Sequence, residues 1–530
     1  MQFFPSLHIR FFCIFLPRFS EKTLSNSVFE TFCSILSFSL TQQRPYAILI
    51  LQERTAQEVE VCLMKDFSVR LERMEIRNFK NVKYGVLSFE NLRKAYSASI
   101  LGLYGQNGSG KTALIDVISL LKHLLMGQQI PPAFADCIHV DAREASFRFH
   151  FKIADQTENP AEYRAVYECS IRRDTDESAA NMEQAPGYKV TVFNEVLSGS
   201  RKSGTQKNRF APLIDTRTED VFVPASKFRQ LTGGKKAAET ELLVAKKFTA
   251  ATARSFIFSR ELAATIRSQC KDLSVLSLYN ALIYYGNFEL FVINTTNSGL
   301  ISINALPLSF SYEENGRLSA GSIMLHLNGV SLIPEPAMEI VRKVIASMNL
   351  VLRELVPGLL LEIKELGTQL RENGDTICSI QLLSLKNGKS IPLQYESEGI
   401  KKIISVLHLL IGVYNKTSIT VAIDELDSGV FEYLLGELLR ILAERGKGQL
   451  IFTSHNLRPL ETLDRGFIAF TTTNPENRYI RLIHVKPNHN LRDFYYRDIM
   501  LGEQNEPVYD PTNNYDIALA FREAGDTFGA

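Results

Sequence analysis

Net charge is almost absent from this sequence: 59 Lys plus Arg stand against 58 Asp plus Glu in 530 residues. That balance excludes a chain acting as a basic or acidic tail, so any nucleic-acid contact must come from a local patch. Cysteine is scarce too. The seven are Cys13, Cys33, Cys62, Cys137, Cys169, Cys270 and Cys378, with none at Cys-x-x-Cys spacing. A scattered, odd set argues against a disulfide framework or zinc site and for reduced thiols in a cytoplasmic protein. No apolar run reaches the roughly 18–20 residues that a membrane helix needs. Sustained heptads are missing, which excludes a long coiled-coil arm, and no fixed-period repeat is found.

What the sequence has is apolar mass, 45% of its residues, enough for a large core and two to four domains or lobes. Residues 1–63 stand apart. "MQFFPSLHIRFFCIFLPRF" is rich in Phe but is interrupted by Arg10, Pro17 and Arg18, and lacks a continuous signal-peptide stretch. It reads as an extra domain, as a targeting segment, or, preferably, as sequence upstream of a true start at Met64.

From Phe67 to Phe89, Val69, Leu71, Met74, Ile76, Val86, Leu87 and Phe89 alternate with polar residues, which predicts a hairpin turning near Asn78–Tyr84. "ASILGLYG" then predicts a buried strand, and "KTALIDVISLLKHLL" an amphipathic helix. "ASFRFHFKI", "YRAVYECSIRR" and "YKVTVFNEVLS" predict a meander continuing the same sheet. "SGSRKSGTQKNR" (Ser198–Arg209) predicts a mobile polar loop, either merely solvated or touching a DNA backbone. Helices are expected over Ala237–Tyr285 and Pro334–Gly358, and strands at "LLLEIKEL" and "TICSIQLLSL". A helix, strand, helix, strand series from "EGIKKIISVLHLLIGVYN" to "GQLIFTSH" then marks a parallel sheet with covering helices.

Between that first buried strand and its helix, Gly105, Gln106, Asn107, Gly108, Ser109, Gly110, Lys111 and Thr112 fit G-x-x-x-x-G-K-[ST]. The glycines let backbone N–H groups curl around phosphate, and the helix points its positive end at the same anion. Lys111 is placed to reach the β- and γ-phosphates and Thr112 to hold Mg²⁺. A chance match in a chain of this length arises roughly once in fifty. Far downstream, "ITVAIDELDSG" ends an apolar strand in Asp424 and Glu425. Asp424 suits Mg²⁺, and Glu425 suits polarising a water. "IFTSHN" ends the next strand at His455, within reach of a γ-phosphate. "YESEGIKKII" sets Ser397, Glu398 and Gly399 at a helix start, a second anion site. Ser397 does not easily serve the nucleotide of Lys111 within one head, which invites a site shared by two protomers.

The order "GQNGSGKT", "ESEGIKK", "AIDELDSG", "FTSH" resembles the ABC-type ATPase head of the SMC/RecF/OLD superfamily. It is more closely similar to the bacterial ATP-binding proteins grouped as AAA fifteen and AAA twenty-one, over roughly Phe67 to Ala469. The resemblance implies an α/β P-loop head with a mixed sheet, flanking helices and an inserted helical or mixed lobe. It implies a Mg²⁺-dependent ATPase whose two heads sandwich ATP. Lys111, Glu425 and His455 would be catalytic, and Thr112 and Asp424 would hold the metal. Ser397, Glu398 and Gly399 would be the signature acting on the partner's nucleotide, and Asp427 the D-loop. Glu398 departs from the fuller LSGGQ signature. A Q-loop glutamine is not assignable, Gln230 being a weak candidate. The short remainder after His455 lacks a Toprim pattern, so no nuclease domain is expected.

The implied domains are an uncertain extension (1–63), the first half of the head (64–197), a mainly helical inserted lobe (198–358), the second half of the head (359–485) and a tail (486–530). In the tail, Arg492, Phe494, Tyr495, Tyr496 and Arg497 suit either packing on the head or base stacking. Expected partners are a second copy, giving a homodimer or higher oligomer, with DNA or a separate effector beyond it and no membrane. DNA maintenance and anti-phage defence are the roles considered. The competing reading is an ATP-dependent sensor or scaffold that holds a toxin or nuclease while hydrolysis is incidental. A GTPase is disfavoured because no N/TKxD guanine-reading motif is present, and a transporter subunit by the long inserted lobe.

Overall fold

A computed structural model describes residues 49–51 and 67–526, apart from 92, 156–160, 176–187, 204–205, 208–209, 295–304, 315–316, 328, 372–373, 375, 483–489 and 502–504. The chain divides into a unit of residues 1–46 and a unit of residues 47–530, and every element described belongs to the second. The extension 1–63 therefore lies outside the described residues, except for the short strand Leu49–Leu51.

The elements that carry the motifs form one sheet. β1 (Ser99–Tyr104) leads through the glycine-rich loop into α1 (Lys111–Leu125). β2 (Leu290–Ile293) comes much later, α2 (Glu398–Asn415) leads to β3 (Thr420–Ile423), and α3 (Glu432–Arg445) leads to β4 (Gln449–Thr453). β5 (Ile468–Thr471) and β6 (Tyr479–Ile480) complete it. The spatial order is β2-β3-β4-β1-β5-β6. All neighbours are parallel except β6, which turns back on β5. Ile293 pairs with Ile423, Ile423 with Phe452, and Thr453 with Leu103. This register brings the loops after β1, β3 and β4 out at one edge, the edge where open α/β sheets bind ligands. β1, β3, β4 and β5 are buried along their whole length, which is why they read as continuous apolar runs rather than alternating ones.

The expected meander is present as strands Glu144–Asp155, Ala161–Thr175 and Tyr188–Ser203, but it does not continue the sheet of β1. It joins the hairpin Phe67–Phe79/Val82–Ser88 in a separate, antiparallel seven-stranded sheet. Each of these strands buries one face, and short antiparallel connections cannot feed a parallel sheet, which requires crossovers. α1 lies between the two sheets. Its Leu114, Ile118, Leu121 and Leu124 share one core with Leu101, Leu103 and Ile451 of the parallel sheet and with Ile76, Phe149 and Phe151 of the antiparallel one. Each such fully buried side chain contributes about 1.5–3 kcal/mol. The glycine-rich loop is thus anchored at both ends in solid core.

The Ser198–Arg209 stretch is also corrected. Ser198–Ser203 continue a strand whose partner, Ala161–Thr175, satisfies the backbone, and Gln206–Lys207 pair back onto it. Arg201 Nη1 donates to Ser274 Oγ at 2.8 Å. Polar composition predicted a loop where pairing made a strand.

Between residues 198 and 358 the chain forms four consecutive helices, Ala225–Thr232, Lys236–Ala251, Arg260–Gln269 and Leu273–Tyr284. It also supplies β2 and the hairpin Ala305–Glu314/Arg317–His326. The expected helix at Pro334–Gly358 spans Glu335–Leu355 and packs on the antiparallel sheet Ser331–Pro334, Leu359–Leu370 and Thr376–Lys386. On the far face of the parallel sheet, α2 and α3 share a second core with helix α4 (Leu491–Leu501). Phe494 and Tyr495 are buried there, and the Tyr495 ring lies 4.7 Å from that of Phe470. For these two residues the packing alternative prevails. A last helix, α5 (Asn514–Asp526), is exposed over its described length. No helix among the described residues is long and apolar enough to cross a membrane.

Candidate nucleotide site

The loop from Gly105 to Gly110 needs its glycines for different reasons. Gly105 adopts φ +151, and a Cβ there would stand 1.8 Å from Thr471 Oγ1, so the close approach of β5 forbids a side chain. Gly110 caps α1 with no side chain accepting from the helix, and the first turn carries no acid. The N–H groups at the start of α1 are therefore left for an outside anion. Lys111 lies back over the loop, its Nζ donating to Gly105 O at 2.8 Å and Gln106 O at 2.9 Å. Such carbonyl contacts are readily exchanged for phosphate oxygens, which accept more strongly from a cation. Thr112, half-buried, is the second residue of the helix.

A brace around this loop had no signal in the sequence. Ser109 Oγ donates to Gln106 O at 2.5 Å and also meets Thr471 Oγ1. Arg478 donates to Thr472 O and Asn81 O, both at 2.6 Å, and the side-chain amide of Asn81 in turn donates to Gly108 O. Tyr479 OH donates to Gly110 O at 3.0 Å, and the Asp510 N–H donates to Gln106 Oε1 at 2.9 Å. The β5–β6 hairpin and the tail thus hold the loop in shape from the side opposite β4. No motif announces Thr471, Arg478 or Tyr479, because their partners lie hundreds of residues earlier.

The acids emerge from β3. Asp424 is 1% exposed. Its Oδ1 accepts from Thr453 Oγ1 at 2.5 Å, and its N–H donates to Ile293 O at 2.8 Å. Thr453 Oγ1 also accepts from the Glu425 N–H at 2.8 Å, so one buried hydroxyl on β4 orients both acids. Asp424 Oδ2 is buried with no hydrogen-bond partner. A buried carboxylate oxygen left unpaired is costly in an empty head and well suited to a cation. Glu425 adopts φ +48, uncommon for a residue with a side chain, and such backbone strain concentrates at functional sites. Among the described residues no three His, Cys, Asp or Glu side chains form a ready metal cage. A divalent cation here would use Asp424, Thr112 and oxygens of the nucleotide itself, the manner in which Mg²⁺ is usually held.

Asp427 accepts at Oδ2 from the backbone N–H groups of His455 at 3.1 Å and Asn456 at 2.9 Å, tying the turn after β3 to the turn after β4. His455 itself is exposed. Burial lowers the Lys111 amine below its ordinary value, while Asp424, Glu425 and Asp427 act to raise it. The loop, the acids and their positioning threonine therefore gather at one sheet edge.

Ser397 caps α2, accepting from the Ile400 N–H at 3.3 Å, and is exposed, as is Glu398. The hydrogen bonds of Ser397 stay within its own helix, and none reaches residues 105–112 of the same chain. Gly399 is buried, and a Cβ there would stand 1.9 Å from Gly429 O. The helix N-terminus is thus pressed against the turn that carries Asp427. Gly399→Ala is expected to cost about 1–3 kcal/mol by overpacking, read as a lowered midpoint of chemical unfolding. Gln230 lies on the helix Ala225–Thr232, donating to Asp272 and accepting from Lys227, outside the loop's hydrogen-bond network.

No protein-family model matches the chain, and no curated protein does. Similar solved structures are SMC heads and RecF. An SMC head domain from Thermotoga maritima is 14% identical, with 78% of this chain and 99% of that one covered at a TM-score of 0.32. An SMC head domain bound to the C-terminal domain of ScpA, derived from Pyrococcus furiosus, is 12% identical over 78% and 96%, TM-score 0.32. The recombination mediator protein RecF of the RecFOR pathway is 14% identical over 78% and 98%, TM-score 0.32.

Proposed function

We propose that the chain is an ATP-binding and ATP-hydrolysing head that works as a pair, each copy completing the other's site. The observation that carries this is the unpaired, buried Oδ2 of Asp424, set among groups coupled to Lys111 at the edge where α1 presents uncapped N–H groups. Loop N–H groups and Lys111 bind the phosphates. Thr112 and Asp424 hold Mg²⁺, which supplies charge neutralisation at the phosphates. Glu425, turned out by its positive φ, takes the proton of the attacking water, and His455 stands at the exposed rim to sense the γ-phosphate.

Ser397 and Gly399 serve the nucleotide of a second copy. Their exposed helix N-terminus, with no bond to the loop of its own chain, supports that assignment. The motif order remains similar to the AAA fifteen and AAA twenty-one groups, and the work of the pair passes to DNA or a separate effector in the cytoplasm.

The test is the solution mass of the full chain with and without Mg²⁺ and ATP. The mass is expected to double with ATP and to stay single with GTP. A monomer at saturating ATP would sink the paired-head reading.

A further inference from the structure

Lys402 has no part in the scheme above, yet it is one of the most deeply buried charged side chains of the head, 3% exposed. Its place follows from helical spacing. Gly399, Lys402, Val406, Leu410 and Val413 share one face of α2. The lower residues of that face pack in one core with Val421, Ile423 and Leu426, which flank Asp424 and Glu425 on β3 and the turn after it. At the top, Gly399 abuts Gly429 O. Lys402 lies between these two contacts, where apolar residues give way to the turn carrying Asp424, Glu425 and Asp427. Burial depresses its amine, and the charges that oppose this are Glu425, Asp424 and Asp427, the same three acids that act on Lys111. Three carboxylates at one sheet edge would repel one another without cations, and a lysine buried this deeply requires opposite charge.

We propose that Lys402 is a positioning residue: the built-in counter-charge of the acidic turn, standing in for the divalent cation in the empty head and tying the arrival of that cation to the N-terminus of α2. The proposal rests on the assignment of Asp424 to Mg²⁺. When the cation enters at Asp424, the turn no longer needs Lys402, and like-charge repulsion pushes on the helix that begins at Ser397. Cation binding in one head is thereby coupled to the signature end of that same head, which faces the partner's nucleotide.

The experiment compares the full chain with Lys402→Met and Lys402→Arg. Fluorescent-ATP binding is titrated with Mg²⁺, and thermal unfolding is followed without nucleotide. Lys402→Met is expected to lower the Mg²⁺ concentration for half-maximal ATP binding by roughly threefold or more, because a competing charge is gone. The same variant is expected to melt earlier when empty and to recover with Mg²⁺ and ATP. Lys402→Arg should track the unsubstituted chain in both readouts.

A folded, ATP-binding Lys402→Met with an unchanged Mg²⁺ midpoint overturns the proposal, since a merely structural lysine would move stability alone. Should Lys402→Met not fold, Lys402→Gln, neutral and polar, carries the same comparison. If the unsubstituted chain binds ATP with no Mg²⁺ dependence at all, the assignment of Asp424 falls and this inference falls with it, a result distinct from an unmoved midpoint.

Discussion

Glu425→Gln is expected to reduce steady ATP turnover by about 10²–10⁴-fold, the usual contribution of a general base, while ATP binding stays intact. The substitution keeps shape and removes proton-accepting power. The backbone at this position is held independently of the side chain, by the N–H bond to Thr453 Oγ1 and by φ +48, so the amide should occupy the place of the carboxylate. With hydrolysis blocked, the paired state should accumulate. Light scattering with ATP should report twice the monomer mass, and the pair should persist after dilution for far longer than in the unsubstituted chain. Phosphate release and mass, measured on one preparation, separate the two readings of the output. If turnover drives the work, Glu425→Gln abolishes the biological effect. If ATP merely holds an assembly closed, the effect survives in the trapped state.

How much of this was legible beforehand depends on distance along the chain. The glycine-rich loop, its strand and its helix are contiguous, and Lys111–Leu125 forms the helix that its periodicity predicts. The β3 acids and the β4 turn were likewise local patterns, each a short buried strand with its polar end. What remained hidden depends on pairing. Periodicity marks Phe147, Phe149 and Phe151 as one face of a strand but does not say which sheet takes the strand. β2 has four residues and no motif, yet Ile293 O accepts the N–H of Asp424. Thr453 was visible only as part of "FTSH". Its use, orienting two acids on the neighbouring strand, requires the register that sets Ile423 beside Phe452. Lys402 had the opposite difficulty: a lysine after a cap reads as a solvated face, and its burial follows only once the turn after β3 is folded against Gly399.

Two inactive variants mixed together are expected to regain activity, and this is the sharpest consequence of placing Ser397 on a partner's nucleotide. Lys111→Ala removes a cationic donor to phosphate, worth about 1.5–3 kcal/mol, and should weaken ATP binding tenfold or more. Ser397→Arg sets bulk and charge at an exposed helix cap. It costs the cap, about 0.5–2 kcal/mol, but disturbs no buried packing, so the chain should fold and bind ATP at its own loop. Ser397→Thr, which keeps the cap, serves as the control. Each variant alone puts a defect in both sites of a two-fold pair. In a mixed pair the symmetry redistributes the damage. One site receives the sound loop of the Ser397→Arg chain and the sound signature of the Lys111→Ala chain, and the other receives both defects. Equal mixing gives about half of the pairs in mixed form, each with one intact site of two, so turnover should return to about one quarter of the unsubstituted rate. Restoration should also follow the concentration of mixed pairs, peaking at equal proportions. If Ser397 served its own chain's nucleotide instead, both sites of every mixed pair would carry a defect, and no proportion of the two variants would restore turnover.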